Sequence, residues 1–478
     1  MTRALILLHR WLGVTFCLFF AMWFATGIVM HFVPFPALTE TERFAGLAPI
    51  DVRAIRHSPA EAVAASALKD AERVRLQQRS DAPIYLVTGP SGLKALSAAD
   101  LTSAAVTSEQ LALVIALDHA RRRGLDASHA TVAELAHYDQ WTVPNGLDPH
   151  RPLYRIALHD GRGTELYVSS TTGEVVRDTT RAERWWNYAG SVPHWIYPTA
   201  LRSHWAAWDR TVWWLSLIAA TAAMTGAVLG VLRLKFTQRR LTSPYRGWHA
   251  WHHWLGLGSS IFVLTWIVSG WLSMDHGRLF SLDKLSELET KAVTGAPAWD
   301  ALSADELKRL SAQAREIEWF PFGGQNHRRE RIVLGVQHLF VAGAGDTTRA
   351  FLAADDVSAI APKLAPPGCY AAVPIGANDS YSIDPTMPGA PVYRLVCGDV
   401  WYHIDGASGA ALEKLDSSRR AYRWFYSALH TLDIPVLMEA PGVRTVLIIA
   451  LCALGLAFSL SGVVIGWRRL RLSSTRRL

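Results

Sequence analysis

Four long apolar runs decide what this chain can fold into. Ala4–Val33, Thr211–Leu232, Leu255–Met274 and Thr445–Trp467 are each long enough to cross a hydrocarbon core, which takes about 20 residues. The last three carry no charged side chain. The first carries only Arg10, near enough to one end to snorkel to the interface. A chain of 478 residues that is 50% hydrophobic and 19% charged, against a usual figure of about 25%, reads as a membrane protein. A disordered chain, a coiled coil and a disulfide-stapled mini-protein are excluded. The first run is about twice as long as a signal-peptide core and exits through Pro34 and Pro36, so it reads as a signal anchor.

The net charge of +7 comes from 48 basic and 41 acidic residues, and the basic ones sit beside the apolar runs. Arg3 precedes the first. Arg233, Lys235, Arg239, Arg240 and Arg246 fill the short link between the second and third, and Arg468, Arg469, Arg471, Arg476 and Arg477 follow the fourth. Lys/Arg bias marks cytoplasmic segments, so both termini are expected in the cytoplasm and the two polar stretches in the periplasm of a bacterial inner membrane. This explains the basic balance without a nucleic-acid partner. The expected map is a transmembrane helix at 4–33, a periplasmic domain at 34–208, a helix at 209–233, a cytoplasmic loop at 234–248, a helix at 249–275, a second periplasmic domain at 276–442, a helix at 443–467 and a cytoplasmic tail at 468–478. Cys17 and Cys452 lie inside spans as small apolar residues. Cys369 and Cys397 lie in an oxidising compartment on this topology and are expected to form a disulfide.

The chain reads as a tandem repeat. Leu8-His9-Arg10-Trp11-Leu12-Gly13 opens the first span and Trp251-His252-His253-Trp254-Leu255-Gly256 the third, after which Gly27 aligns with Gly270. Thr225-Gly226 with Gly230 and Ser461-Gly462 with Gly466 end the second and fourth, a spacing that permits close helix approach. Tyr154-Arg155-Ile156 matches Tyr393-Arg394-Leu395, and Arg184-Trp185 matches Arg423-Trp424. After a short indel His194 matches His430. The expected fold is therefore a four-helix transmembrane bundle from two repeats, each carrying an α+β periplasmic domain. Helices are expected over Pro59–Leu68, Ser108–Arg122 and Ala304–Arg315. Strands are expected over Arg155–Leu158, Glu165–Ser169, Arg331–Gln337, Val392–Cys397 and Val400–Ile404.

Half of the 18 His lie in or beside the spans: His9, His31, His194, His204, His249, His252, His253, His276 and His430. Ionisable groups there are costly and invite a functional reading. His9 and His252 are repeat equivalents near one face, and His194 and His430 near the other, so a twofold axis brings each pair together. Two neutral imidazoles facing across an apolar bundle are what a b-type haem needs, whereas isolated zinc wants three or four ligands. No C-x-x-C-H is present, so a haem here is non-covalent. His31 lies 22 residues after His9, about 33 Å of rise and about 40° of phase, and so shares its helix face. Its repeat equivalent is Met274, with His276 close by. His31 and His276 stay open as ligands of the outer haem, and His249 and His253 as ligands of the inner one.

The short cytoplasmic loops cannot hold a flavin or nicotinamide domain, and no phosphate-binding glycine loop is present. Electrons would come from a cytoplasmic flavoprotein or a membrane quinol. Acidic residues are missing from the span interiors, against an ion-coupled transporter. The Trp residues crowding the outer end of the second span (Trp185, Trp186, Trp195, Trp205, Trp208, Trp213 and Trp214) suit an interfacial belt or a platform for an aromatic ligand. Trp23 and Trp266 lie between the two His levels.

The openings around His9 and His252, the strand ending Tyr167 to Thr172-Gly173-Glu174-Val175-Val176, and the His-containing segments before the second and fourth spans resemble the PepSY-associated transmembrane family over nearly the whole chain. The resemblance implies two PepSY-like periplasmic domains and an inner-membrane ferric-siderophore reductase. Two non-covalent b haems would be held by His9, His252, His194 and His430. Single electrons would pass outward to a periplasmic ferric siderophore or chelate and release Fe(II). No catalytic acid or base is implied. The rival expectations are a non-redox siderophore or metal transporter subunit and a PepSY-type periplasmic sensor or peptidase modulator.

Overall fold

A computed structural model of the chain describes residues 2–237, 240–302, 304–341, 348–364 and 368–474. Arg239, Arg476 and Arg477, named above for topology, lie outside the described residues. The four apolar runs are four long helices: α1 (Thr2–Phe32), α2 (Trp205–Arg233), α3 (Trp248–Leu272) and α4 (Pro441–Ser474). Each is long and apolar enough to cross a membrane. α1 stops just short of Pro34, which disfavours helix at the residue before it. α4 starts on Pro441, whose missing N–H costs nothing at a first helical position.

Contacts divide the chain into two compact units. One comprises Met1–Phe35, Trp185–Leu282 and Ser418–Leu478, and the other Pro36–Arg184 and Asp283–Ser417. In the first, the helices pack as a ring in which α1 neighbours α2 and α4, and α3 neighbours α2 and α4. α1 and α3 thus face each other across the bundle. Its core holds Phe16, Phe20, Phe24, Ala219, Ala222, Val263, Trp266, Ile267 and Cys452. Small residues let the helices close up: a Cβ on Gly455 would lie 2.6 Å from the Phe24 ring.

A short helix, Ser191–His194, packs against α1, and Leu429–Thr431 packs against α3. The chain reaches these two places differently. Before His194 the helix Arg181–Ala189 breaks at Gly190, where a Cβ would sit 2.9 Å from Val29. Before His430 there is no break, but a single π-turn at Trp424–Ala428. His194 lies ten residues after Arg184 and His430 seven after Arg423, so the extra residues of the indel lie on the side of the break.

The second unit is α+β. Its central sheet has six antiparallel strands, in the order Val336–Val341, Gln325–Val333, Glu316–Phe322, Arg73–Gln78, Pro83–Gly89, Gly92–Ser97. The two middle strands come from the two polar stretches and pair with Val74 opposite Trp319 and Leu76 opposite Ile317. Two four-stranded sheets flank it in sequence, one from residues 131–179 and one from 373–415. In the first, helix Glu109–Arg122 lays Ala112, Ile115 and Ala116 on Ile156, Leu166 and Val168. A disulfide joins Cys369 to Cys397.

Glu316 lies at the centre of the large sheet, 1% exposed, with Arg43 at 2.7 Å and Arg331 at 2.9 Å. Burial pushes its carboxyl up, but Arg43, Arg75 and Arg331 outweigh burial and hold it well below the usual range.

Several expected elements differ. Arg331–Gln337 is not one strand: Arg331–Val333 ends one strand, Val336–Gln337 begins the next, and Leu334–Gly335 form the hairpin turn between them, with Gly335 at φ 75°. The apolar run misled because strand residues flank the turn on both sides. The helix expected over Ala304–Arg315 extends only over Ala304–Leu307. Arg73–Gln78 and Glu316–Phe322 are further strands, in which Val74 and Leu76 alternate with Arg73 and Arg75, and Ile317 and Trp319 with Glu316 and Glu318, an alternation too short and too charged to stand out in the sequence.

Candidate functional site

The bundle brings together the repeat-equivalent His residues. His194 and His430 meet with ring centroids 6.4 Å apart. His9 and His252 line one cavity of about 330 Å³ whose walls are largely apolar, with Phe20, Val263 and Phe458 among them. His252 stacks on Phe458, centroids 4.8 Å apart, and His430 on Tyr426 at 5.7 Å. Along α1, Gly27 lies 18 residues after His9, and along α3 Gly270 lies 18 residues after His252, about 27 Å of rise in each. Phe20, Phe24 and Trp266 fill the core between the two levels.

All four rings are held the same way. His194 Nδ1 lies 2.8 Å from Thr26 Oγ1, and His430 Nδ1 lies 3.1 Å from Ser269 Oγ. His252 Nδ1 lies 2.9 Å from Ser461 Oγ. His9 Nδ1 lies 3.4 Å from Thr225 Oγ1 and 3.3 Å from the Ala222 carbonyl. Each hydroxyl already donates to a carbonyl of its own helix: Thr26 to Met22, Thr225 to Ala222, Ser269 to Trp266 and Ser461 to Phe458. A hydroxyl has one proton, so towards the imidazole each can only accept. Nδ1 therefore carries the hydrogen in all four rings and Nε2 carries the lone pair. Among the described residues no hydrogen bond reaches these Nε2 atoms. Fixing the tautomer through the second nitrogen is how a protein prepares an imidazole to bind a metal.

The residue after each hydroxyl is glycine. A Cβ on Gly226 would lie 2.7 Å from Cε1 of His9, on Gly270 3.2 Å from His430, on Gly462 3.4 Å from His252 and on Gly27 3.7 Å from His194. A Ser/Thr-Gly dipeptide thus serves each ring, the hydroxyl orienting it and the glycine admitting it. The sequence pattern points to none of the hydroxyls, and it marks Gly27 and Gly270 only as repeat equivalents and Gly226 and Gly462 only as helix contacts. That reading fits the second glycine of the second and fourth spans, since Gly230 would meet Leu257 at 3.0 Å and Gly466 Val14 at 3.8 Å. The available signal was four such dipeptides at matched places: Gly226 lies 32 residues after His194, and Gly462 lies 32 after His430.

The other His residues are used differently. His253 is 8% exposed and both its nitrogens are engaged, Nδ1 with Ser243 at 2.8 Å and Nε2 with the Gly230 carbonyl at 2.9 Å. A carbonyl only accepts, so this Nε2 is protonated and offers no lone pair. His31 spends Nε2 on Thr445 at 2.9 Å. His276 turns Nδ1 to the buried Asp209 at 2.7 Å, a carboxylate also paired with Arg278. His249 is exposed beside Tyr245 on the cavity wall.

A donor set of two facing imidazoles suits a metal whose other ligands arrive with it, and a porphyrin brings four nitrogens. Metal–imidazole bonds of about 2 Å would put two ring centroids about 6 Å apart, close to the outer pair. Among the described residues no group of three or more His, Cys, Asp or Glu converges as on a bare metal ion. The residues present fit haem at both levels.

Four apolar helices bearing an α+β unit define a multi-pass membrane protein with PepSY-type domains. The chain belongs to the PepSY-associated TM region family, whose model matches residues 6–469. No curated protein matches the sequence.

Proposed function

We propose that the protein is an inner-membrane reductase that binds two b-type haems, one at each His pair, and delivers single electrons to a ferric siderophore in the periplasm. The observation that carries this reading is the repeated hydroxyl, glycine and Nδ1–H arrangement at two His pairs, one with ring centroids 6.4 Å apart and one lining a single apolar cavity, which leaves the four Nε2 lone pairs unspent. A bound haem supplies a one-electron Fe(III)/Fe(II) couple. Everything else belongs to the chain. His9 and His252 hold the inner group and His194 and His430 the outer one. Thr225, Ser461, Thr26 and Ser269 orient them, and the aromatic core excludes water between the levels.

The Lys/Arg distribution supports cytoplasmic termini and periplasmic soluble domains. The chain is then two tandem repeats, a reading supported by the matched spacings and by the central sheet, three strands from each half. Electrons enter from a flavoprotein or quinol on the cytoplasmic side. Ferrous iron binds hard-oxygen chelators less tightly than ferric iron, so one electron per iron releases it.

The test is an absorption spectrum of the purified protein before and after dithionite, with a pyridine haemochrome assay. Two low-spin b haems per chain are expected. A colourless protein after expression with ample haem overturns the proposal and moves the non-redox transporter and sensor readings to the front.

A further inference from the structure

The cavity around His9 and His252 has an uneven charge. Its lining includes Arg10, Arg233 and Arg469, from α1, the last residue of α2 and the last turns of α4, and no Asp or Glu. Among the described residues none of the three arginines makes an ion pair. The Nε of Arg10 is buried without a hydrogen-bond partner. Basic residues outside a membrane span need no explanation beyond topology. Three from separate helices lining one apolar cavity, with a buried donor unspent, do need one. The ligand that satisfies them has a flat apolar body and acidic groups along one edge.

We infer that Arg10, Arg233 and Arg469 form a clamp for the carboxylates of the planar ligand held between His9 and His252. The inference rests on the haem reading and adds the ligand's orientation, with its carboxylate edge toward the chain termini. Guanidinium–carboxylate bonds are charge-assisted and paired, and arginine keeps its charge at any working pH. Lipid phosphates offer the same anionic chemistry to the same side chains, so the test separates the two.

The full-length chain is isolated from haem-limited cells in a phosphate-free nonionic detergent and titrated with haem or haem dimethyl ester, whose carboxylates are blocked. The inner site, identified by its loss in His252→Ala, should take haem about ten-fold more tightly than the ester. Arg10→Gln, Arg233→Gln and Arg469→Gln should each narrow that gap, and Arg10→Lys should keep part of it. A cation paired with the carboxylates offsets negative charge that favours the ferric state, so each Gln variant should lower the inner midpoint potential and leave the outer one unchanged. Equal affinity of the unmodified chain for haem and ester overturns the clamp while leaving the functional proposal intact. So does a gap that closes when anionic lipid is added, which would assign the arginines to headgroups. Failure of either porphyrin to give a bis-imidazole spectrum overturns the functional proposal itself.

Discussion

The two His pairs share one chemistry and are built in opposite ways. In the pair proposed for the inner level, His9 and His252 sit on the long helices α1 and α3, and α2 and α4 supply the hydroxyl and glycine. In the pair proposed for the outer level, α1 and α3 supply the hydroxyl and glycine, while His194 and His430 arrive on short segments ahead of α2 and α4. An inner ring is fixed by the helix that carries it. An outer ring depends on a tertiary frame. Trp23 Nε1 donates to the His194 carbonyl at 2.9 Å, Asn187 Nδ2 to the Pro34 carbonyl at 3.0 Å, and Tyr422 to the Leu272 carbonyl at 3.2 Å. The inner pair should therefore answer to changes beside it, and the outer pair also to changes at a distance.

The largest effect is expected from the ligands. His9→Ala or His252→Ala should remove one haem and leave the outer couple titrating alone, and His194→Ala or His430→Ala the reverse. Each should cut ferric-chelate reduction in vesicles by at least about 100-fold, since both levels are needed to cross the bilayer. His253→Asn and His31→Asn should keep two haems by pyridine haemochrome. A variant that lost one would move the ligand assignment.

The glycines rank next, in an order set by distance. Gly226→Ala should displace the His9 ring and empty the inner site, and Gly270→Ala should weaken the outer one. Gly462→Ala and Gly27→Ala should be tolerated, because 3.4 and 3.7 Å are ordinary contacts. Haem content of the four purified variants gives the order directly, and an equal response would mean that the glycines serve helix packing alone.

The hydroxyls follow. Thr26→Val and Ser461→Ala should weaken haem binding about 10-fold at their own level, the lower end of the range for such outer contacts. Thr225→Val should do less, because the Ala222 carbonyl shares the His9 proton. Haem-transfer rates to apomyoglobin measure all three.

Asn187→Ala sharpens the comparison most. It touches neither ring, yet it removes the bonds to Pro34 and Ser191 and should cost about 1–3 kcal/mol of local stability. Faster loss of the outer haem with an unchanged inner one is expected, and equal loss of both would erase the proposed difference. The smallest effect belongs to the aromatics between the levels. Trp266→Leu should slow inner-to-outer electron transfer a few-fold in flash experiments, as should Trp23→Leu, which also removes the bond to the His194 carbonyl, and full rates in both would remove them from the path.

Much of this was legible in the sequence. The spans stand out by length alone, and the four ligand candidates by their repeat positions. The hydroxyls were hidden because Ser and Thr inside an apolar helix usually bond back to their own backbone. These four do so as well; what marks them is the second bond, from another helix, which no local pattern predicts. His31 looked equivalent to His9 by helical phase, but phase fixes only the side of a helix, and Thr445 on α4 claims its Nε2. In the sheets, Glu165–Ser169 and Val392–Cys397 form where alternation placed them. The central strands did not stand out because one face of each is charged and forms ion pairs such as Arg73–Glu318 and Arg331–Glu316, while only Val74, Leu76, Ile317 and Trp319 alternate on the other.

The central sheet also sets a timetable for biogenesis. The strand Arg73–Gln78 leaves the ribosome about 240 residues before its partner Glu316–Phe322, which at about 5–20 residues per second is a wait of roughly 10–50 s. For that interval the first polar stretch presents an open sheet edge at Arg73, whose acidic partner Glu318 is not yet made, while Arg75 has Glu174 of the same stretch at 2.9 Å and awaits only its second partner, Glu316. A cation without its partner keeps such an edge hydrated and repels a second copy of it from a neighbouring nascent chain. The ion pairs that stabilise the finished sheet are then, in unfinished form, what protects it from aggregation until synthesis is complete.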